Sequence, residues 1–391
     1  MSLNILMISL DANLALEEDS VVGNVRNRHI EYAKSLENLY VVVKTSRAIK
    51  RRIIKIKDNI FIYPTSSLSR YLFFFDAYKL ASKICQKNKI SLIITQDPFV
   101  TGLIGWLLKK KFNISLNMQI VADMIDNRYF IKESSLNFFL NKLAKRLIHK
   151  ADTIQVCTKK ERGSLVSLGI NEDKVYCVPF FVDFAAFEQR YENSIRQLIL
   201  DGKFEKIILS VNRLVEQKSI ETLIRAIPYT IKKYPKCLFL IVGSGPKEKD
   251  LRKLASDLGV LENIRFQGPV VYNDLARYYH AADIFAITSH YEGTCMALQD
   301  AMAAGKPVIS TPHTGAQDVI RDGYTGFIVE FDDYIGLAKK ILYLLENDNL
   351  ARDMGNRAHD FIVEHFKKEH ILSKYYNMWN ETIERNDKVI K

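Results

Sequence analysis

Cysteine is scarce and scattered. The five residues Cys85, Cys157, Cys177, Cys237 and Cys295 make no Cys-x-x-Cys pair. That excludes a zinc knuckle or a disulfide framework and fits a reducing, cytoplasmic setting. Long apolar runs are also missing. Nothing approaches the roughly 20 apolar residues of a membrane-spanning helix. The longest candidate, Pro98 to Leu108, stops at Lys109-Lys110-Lys111. The opening segment MSLNILMISLD has neither a basic leader nor a small-residue cleavage site. It reads as a first buried strand, not as a signal peptide. There is no low-complexity linker and no short-period repeat. No Asp-x-Asp run follows a strand, so no metal site is expected.

What is present is a chain of 391 residues with 48% hydrophobic and 26% charged residues. That is a folded globular composition of two or three domains. The charge is lopsided. Residues 51–150 carry 18 Lys+Arg against 6 Asp+Glu, whereas residues 201–391 carry 26 against 26. A basic first half points to an anionic partner, such as a lipid surface or a phosphorylated molecule. A lysine-rich solvated surface accounts for it equally well.

Short apolar runs alternate with longer amphipathic ones, the pattern of parallel sheets covered by helices. In the first half the strand candidates run from 4–10 through 40–45, 60–63, 91–96, 119–122 and 153–157 to 175–178. In the second half they are 206–211, 237–242, 264–267, 284–288, 308–310 and 326–329. Residues 333–391 read as almost wholly helical. The spacing thus predicts two successive α/β sets with a joint between Asp183 and Asp201. Ligands of such sheets bind beyond the carboxyl ends of the strands, so the strand-to-helix loops are where chemistry is sought.

Three loops of the second half carry a signal. In SVNRLVEQKSIETL a strand ends, Arg213 and Lys218 follow, and a helix opens near Ile220. Two cations beside a helix N-terminus form an anion site; two ordinary surface cations are the plainer reading. In LFLIVGSGPKEKDL, Gly243 and Gly245 permit a tight turn and close ligand approach. A lone Gly-x-Gly is equally an ordinary turn. In TSHYEGTCMALQDAMAAGKPVIST, Glu292 precedes a helix that opens near Thr294, and Asp300 stands about two turns on. Glu292 can accept hydrogen bonds from hydroxyls, and the amides of Gly293, Thr294, Cys295 and Met296 can meet a phosphate or a sugar. Asp300 suits a ribose diol. Taken singly, each acid is as well explained by exposure or helix capping.

Taken together, Ser210 to Val329 resembles the donor domain of glycosyltransferase family 4, retaining enzymes of the GT-B architecture. S-x-x-E-G-T ending in D-A-M-A-A-G-K-P-V-I resembles that family's Glu-x7-Glu signature, and T-G-A-Q-D-V-I-x-D-G-Y-T-G-F-I-V the stretch after it. N-R-L-x-x-Q-K matches the Arg and Lys that hold the donor diphosphate. More weakly, C-V-P-F-F-V-D-F-A-A-F resembles the segment at the domain joint, and T-Q-D-P-F-V-T-G-L-I-G an acceptor-domain segment of exopolysaccharide-type members. The resemblance implies two Rossmann-like, doubly wound α/β domains facing a central cleft, with a helical C-terminal tail. The expected division is 1–195 for the acceptor and 196–365 for the donor, with 366–391 as a helix returning to the first domain.

The activity implied is retaining, metal-independent transfer of a sugar from a UDP- or GDP-sugar to a glycan or lipid-linked acceptor. The nucleotide-sugar is substrate, not cofactor. Arg213, Lys218 and Glu292 would be catalytic. Gly23, Gly243, Gly245, Gly293, Thr294, Cys295, Met296 and Asp300 would bind the donor, although Gly23 is as well a plain turn glycine. Asp97, Asp123 and Asp126 are candidates for acceptor or sugar contact. Three departures stand out: Asp300 replaces the usual Glu, Ser219 the usual Gly, and Val121 a His that touches the donor sugar. They leave room for a nucleotide-sugar binder without transferase activity; a 2-epimerase of the same fold is the other enzyme reading. Nucleic-acid binding rests on the basic half alone, and no nucleic-acid partner is expected.

Two surface features stay ambiguous. Leu136, Phe139, Leu140, Leu143 and Leu147 form an apolar stripe with Lys142, Lys145, Arg146 and Lys150 opposite, and Tyr71, Phe73, Phe74 and Phe75 form an aromatic cluster. Each is either core packing or peripheral contact with an anionic membrane at the inner face of the cell membrane.

Overall fold

The computed structural model describes residues 3–16, 24–50, 52–69, 71–188 and 194–390. They form two compact units: residues 1–179 with 369–391, and residues 180–368. The strands of the first are β1 (Asn4–Ser9), β2 (Asn38–Val43), β3 (Ile54–Lys57), β4 (Ile60–Pro64), β5 (Leu92–Thr95), β6 (Ser115–Ile120), β7 (Thr153–Val156) and β8 (Val175–Cys177). The strands of the second are β9 (Lys206–Val211), β10 (Cys237–Val242), β11 (Ile264–Gly268), β12 (Ile284–Ile287), β13 (Val308–Ser310) and β14 (Phe327–Ile328).

The first sheet has the order β3-β4-β2-β1-β5-β6-β7-β8 and the second β11-β10-β9-β12-β13-β14. All pairings are parallel except β3 with β4. Near-continuous apolar runs such as Cys237–Val242, buried along its whole length, are what a sheet covered on both faces requires. The edge strand β3 is the one the apolar-run pattern misses. Its Ile-Lys-Ile-Lys sequence alternates between half-buried and exposed positions, so no apolar run marks it.

Both sheets place β1 or β9 at an inner position and reverse the strand order there, as doubly wound folds do. The second half of the chain closes with helices Tyr334–Glu346, Asp348–His365 and Lys368–Ile390. From Glu369 onward the last helix packs in the first unit. Tyr375, Met378 and Trp379 are fully buried there, and the Tyr375 and Tyr32 rings lie 4.8 Å apart.

Polar residues on β7 fix the helix register. Gln155 donates both amide hydrogens, to Val178 O (2.7 Å) and to Tyr375 OH (2.6 Å). Thr382 Oγ1 donates to Met378 O (2.6 Å), so the 2.7 Å contact with Thr153 is a bond donated by Thr153. The helix is therefore part of the core of the first unit. Trp379→Ala should destabilise it by about 3–5 kcal/mol. A denaturant titration followed by far-ultraviolet circular dichroism checks this, and a midpoint unchanged from wild type would refute it.

Candidate functional site

The second unit gathers the sequence-singled residues at the carboxyl ends of β9, β10 and β12. The loop after β9 leaves the sheet at Asn212, whose N–H donates to Val242 O (2.9 Å). Its side chain donates to Ser210 Oγ (2.7 Å). The chain then turns through Glu216–Lys218 and enters helix Ile220–Ile231 from Ser219, which is left-handed at φ 42°. The β10 loop lies directly on this one. A Cβ on Gly243 would stand 1.8 Å from Asn212 O, and one on Gly245 2.4 Å from Leu214 O. These glycines are required by backbone packing on a neighbouring loop, a demand that exists without any ligand.

The loop after β12 carries Glu292, which is buried and forms an ion pair with Lys218 Nζ. Ser289 Oγ donates to the same carboxylate oxygen at 2.7 Å, and Thr314 Oγ1 to the Glu292 carbonyl at 2.6 Å. Burial alone would raise the Glu292 pKa. The charge of Lys218, with the hydrogen bonds from Lys218 and Ser289, outweighs it and holds the carboxyl below its usual range. Glu292 is thus a fixed carboxylate.

Lys218 and Glu292 meet because their loops are bound along the backbone. Thr288 Oγ1 donates to Ser219 O (2.8 Å) and Lys218 O (3.2 Å). His290 N donates to Gln217 O (2.8 Å), and Gln217 Nε2 donates to Tyr291 O (2.7 Å). That last bond turns Gln217 Oε1 toward Arg213, whose guanidinium donates to it at 3.3 Å. Arg213 is exposed, so the two cations differ: Lys218 is paired with Glu292 below the surface, while Arg213 presents its guanidinium to solvent.

Gly293, Thr294 and Cys295 are buried, and Met296 opens helix Met296–Ala303. Cys295 is the N-cap, left-handed at φ 49°, and no side chain caps this helix. No side chain caps helix Ile220–Ile231 either. Two helix starts with uncapped amides therefore flank the ion pair, an anion-binding arrangement. Asp300 is buried in the second turn. Burial raises the Tyr279 and Cys295 pKa values, with Asp300 adding to the rise at Tyr279 and Glu292 at Cys295.

Sequence reasoning passes over the residues that build the Glu292 pocket from the β13 side. His313 is a buried N-cap whose Nδ1 accepts from Ala316 N (3.1 Å). Its proton is therefore on Nε2, which donates to Ser310 Oγ (3.1 Å). Gly315 meets the Glu292 loop so closely that a Cβ would stand 2.0 Å from Gly293 O. The His-Thr-Gly run after a short strand was the available signal. On the other side, Asp332 Oδ1 accepts from His290 Nε2 (2.8 Å) and, more weakly, from Ser219 Oγ (3.3 Å).

The first-unit candidates are not one cluster. Asp97 is buried in the loop before helix Val100–Phe112, taking Phe99 N (2.7 Å) and Thr101 Oγ1 (2.7 Å). Asp123 accepts from Asn127 (3.3 Å), and burial pushes its pKa up. Asp126 is exposed and pairs with Lys145 (2.7 Å) and Asn141 (2.8 Å). Gly23 lies outside the described residues. Among the described residues no three His, Cys, Asp or Glu side chains come together as metal ligands.

Residues 192–361, within the unit just described, match the family called Glycosyl transferases group 1. Over that stretch the chain is similar to the group 1 glycosyltransferases. N-acetyl-alpha-D-glucosaminyl L-malate synthase of Bacillus anthracis is 23% identical over 342 residues, 86% of this chain and 88% of that one. Among solved structures, a sucrose-phosphate synthase from Thermosynechococcus elongatus superposes with TM-score 0.83 at 22% identity, covering 97% of this chain and 98% of that one. HepE of Anabaena in complex with UDP and glucose gives TM-score 0.78 at 16% identity, covering 97% and 100%. The fold of this chain is of the GT-B class.

Burial lowers the His313 pKa from 6.5 to about 4, against the raising effect of Glu292. A depressed folded-state pKa means that the stabilisation is whole above pH 6.5 and is lost as pH falls toward 4. The melting temperature of the protein should therefore fall more steeply over that window than that of His313→Asn. Thermal scans at constant ionic strength measure it; parallel curves would exclude the assignment.

Proposed function

We propose that this protein is a glycosyltransferase that moves a sugar from a UDP- or GDP-sugar onto a glycan or lipid-linked acceptor, with retention of anomeric configuration and without a metal. The observation that carries the reading is the buried Lys218–Glu292 pair between two uncapped helix starts, with Arg213 alongside.

Breaking the bond to a nucleoside diphosphate builds negative charge on the leaving group and positive charge on the sugar. Fixed donors and cations placed where that charge develops lower the barrier. Arg213, Lys218 and the amides of 294–296 would neutralise the departing diphosphate. Glu292, an ionised acceptor, would take hydrogen bonds from the donor sugar and hold it in line. Asp300 would bind the ribose, reaching less far than a Glu. In a retaining course the departing phosphate helps to deprotonate the acceptor hydroxyl. The UDP named for HepE supports the choice of nucleotide. The acceptor would lie with the first unit, where Asp97, Asp123 and Asp126 are the candidates for contact and the basic excess favours an anionic lipid-linked molecule. Association with an anionic membrane belongs to the same reading. Binding of donor without turnover is the second reading, favoured by Val121 and Asp300.

A thermal-shift screen against UDP-, GDP- and ADP-sugars should single out one donor, because specific binding raises apparent stability by mass action. Lys218→Ala should then lower kcat by roughly 10²- to 10³-fold, with activity in EDTA unchanged. Binding without transfer or hydrolysis would select the second reading. A melting point that no nucleotide-sugar moves would overturn both.

A further inference from the structure

The first unit exposes large apolar side chains in two places. Tyr71 and Phe75 are 68% and 67% exposed, and Phe139 65%. Leu136 and Phe138 beside it are exposed as well. The first group sits at the start of helix Phe73–Lys87 and the second at the start of helix Ser135–Leu147.

The topology brings these places to one edge. Helix Phe73–Lys87 connects β4 to β5, helix Val100–Phe112 connects β5 to β6, and helix Ser135–Leu147 leads from β6 to β7. The three connections advance across the sheet in one direction, so right-handed crossovers put all three helices on one face. The middle helix packs against both others. A helix that follows a parallel strand starts at the strand's carboxyl end. Both apolar groups therefore lie at the carboxyl-end edge of one helix layer.

The remainder of these helices shows that the exposure is not incomplete packing. Helix Phe73–Lys87 buries Phe73, Ala77, Ala81 and Ile84, and helix Ser135–Leu147 buries Asn141, Ala144 and Leu147. The aromatic residues at their starts lie off those inward stripes. Exposed cations accompany the second group along residues 128–142. Arg128, Lys132 and Lys142 are exposed, Lys142 Nζ stands 4.4 Å over the Phe138 ring, and residues 51–150 hold 18 Lys+Arg against 6 Asp+Glu.

We infer that this edge is a shallow insertion face for an anionic lipid bilayer, with Tyr71, Phe75, Leu136 and Phe139 entering the headgroup boundary and Arg128, Lys132 and Lys142 pairing with lipid phosphates. Aromatic and aliphatic tips within a basic rim are what such an interface needs. A protein partner complementary to the same residues would have to be both acidic and apolar; a bilayer of anionic lipid supplies both without specific fit. The inference deepens the proposed lipid-linked acceptor reading. The carboxyl-end loops that hold Asp97 and Asp123 lie at the same end of the sheet as the insertion face, the end where a lipid-borne acceptor would arrive.

The full chain is sedimented with vesicles of phosphatidylcholine alone and of phosphatidylcholine mixed with phosphatidylglycerol. Wild type should bind the mixed vesicles, more weakly as salt rises. Phe75→Ser with Phe139→Ser should cut that binding at least about tenfold, with an unchanged melting temperature. Equal binding by the double variant would overturn the assignment. So would failure of wild type to bind mixed vesicles, or equal binding to phosphatidylcholine alone. Self-association of wild type that the double variant abolishes, without vesicle binding, would assign the face to a second copy instead. The donor-induced thermal shift is read on the same samples: its loss in wild type counts against the transfer reading, and its presence without vesicle binding counts against this face alone.

Discussion

Placing an ammonium and a carboxylate together below the surface is an expensive arrangement. Each ion loses several kcal/mol of hydration, and their attraction repays it only when the geometry is close and the remaining hydrogen-bonding capacity is used. Lys218 and Glu292 meet those terms. Their side chains are 13% and 10% exposed, and Ser289 occupies the same Glu292 oxygen as Lys218. Everything else in the second unit's loop region follows from holding two loops in the one relation that permits this pair. Thr288 binds the Lys218 loop through its carbonyls, and Gln217 binds the Glu292 loop through Tyr291. Gly243, Gly245 and Gly315 let the backbones close to distances that any Cβ would forbid. A stability argument alone would have replaced the pair with packed apolar groups; its retention is intelligible as a demand of the chemistry at that spot.

The fold was legible because parallel strands buried on both faces leave continuous apolar runs, and helices between them leave amphipathic ones. Cys237–Val242 and Ile220–Ile231 are examples of each. What escaped was β3, whose alternating Lys residues contribute no apolar run. β6 begins at Ser115, earlier than its apolar signal, because Asn117 is buried with a 2.8 Å bond to Thr153. Polar residues satisfied inside a sheet are invisible to a hydropathy pattern. At the site, Arg213, Lys218, Glu292 and Asp300 could be named because spacing after a strand is a local property. The contributions of Ser289, His313, Thr314 and Asp332 are not local. Asp332 lies more than a hundred residues from Ser219, and only the parallel stacking of β9, β12, β13 and β14 brings them together.

The aromatic and apolar features of the first unit show why a pattern reading had to leave alternatives open. Neither feature is wholly core or wholly surface. Phe73 is buried while Tyr71 and Phe75 are exposed, and Leu147 is buried while Leu136 and Phe139 are exposed. Helix Phe73–Lys87 divides by face from its first turn, whereas the stripe of helix Ser135–Leu147 is bare at its start and covered at its end. Each stretch is therefore part core and part surface.

Two residues at the site carry strain that the sequence would not have chosen for stability. Ser219 and Cys295 both sit in the left-handed region that glycine adopts freely, and each stands immediately before one of the two helices flanking the ion pair. A non-glycine residue there costs on the order of 1–3 kcal/mol, and it persists only where the surroundings over-determine it. For Ser219 the surroundings are explicit: its carbonyl accepts from Thr288 at 2.8 Å, and its hydroxyl meets Thr222 at 2.9 Å. A flexible glycine at that turn would leave Lys218 free to sample other directions. A serine bonded on both sides fixes the one direction that meets Glu292. The departure at Ser219 is therefore consistent with the ion pair that defines the site, because rigidity at the helix start and burial of the two charges require each other.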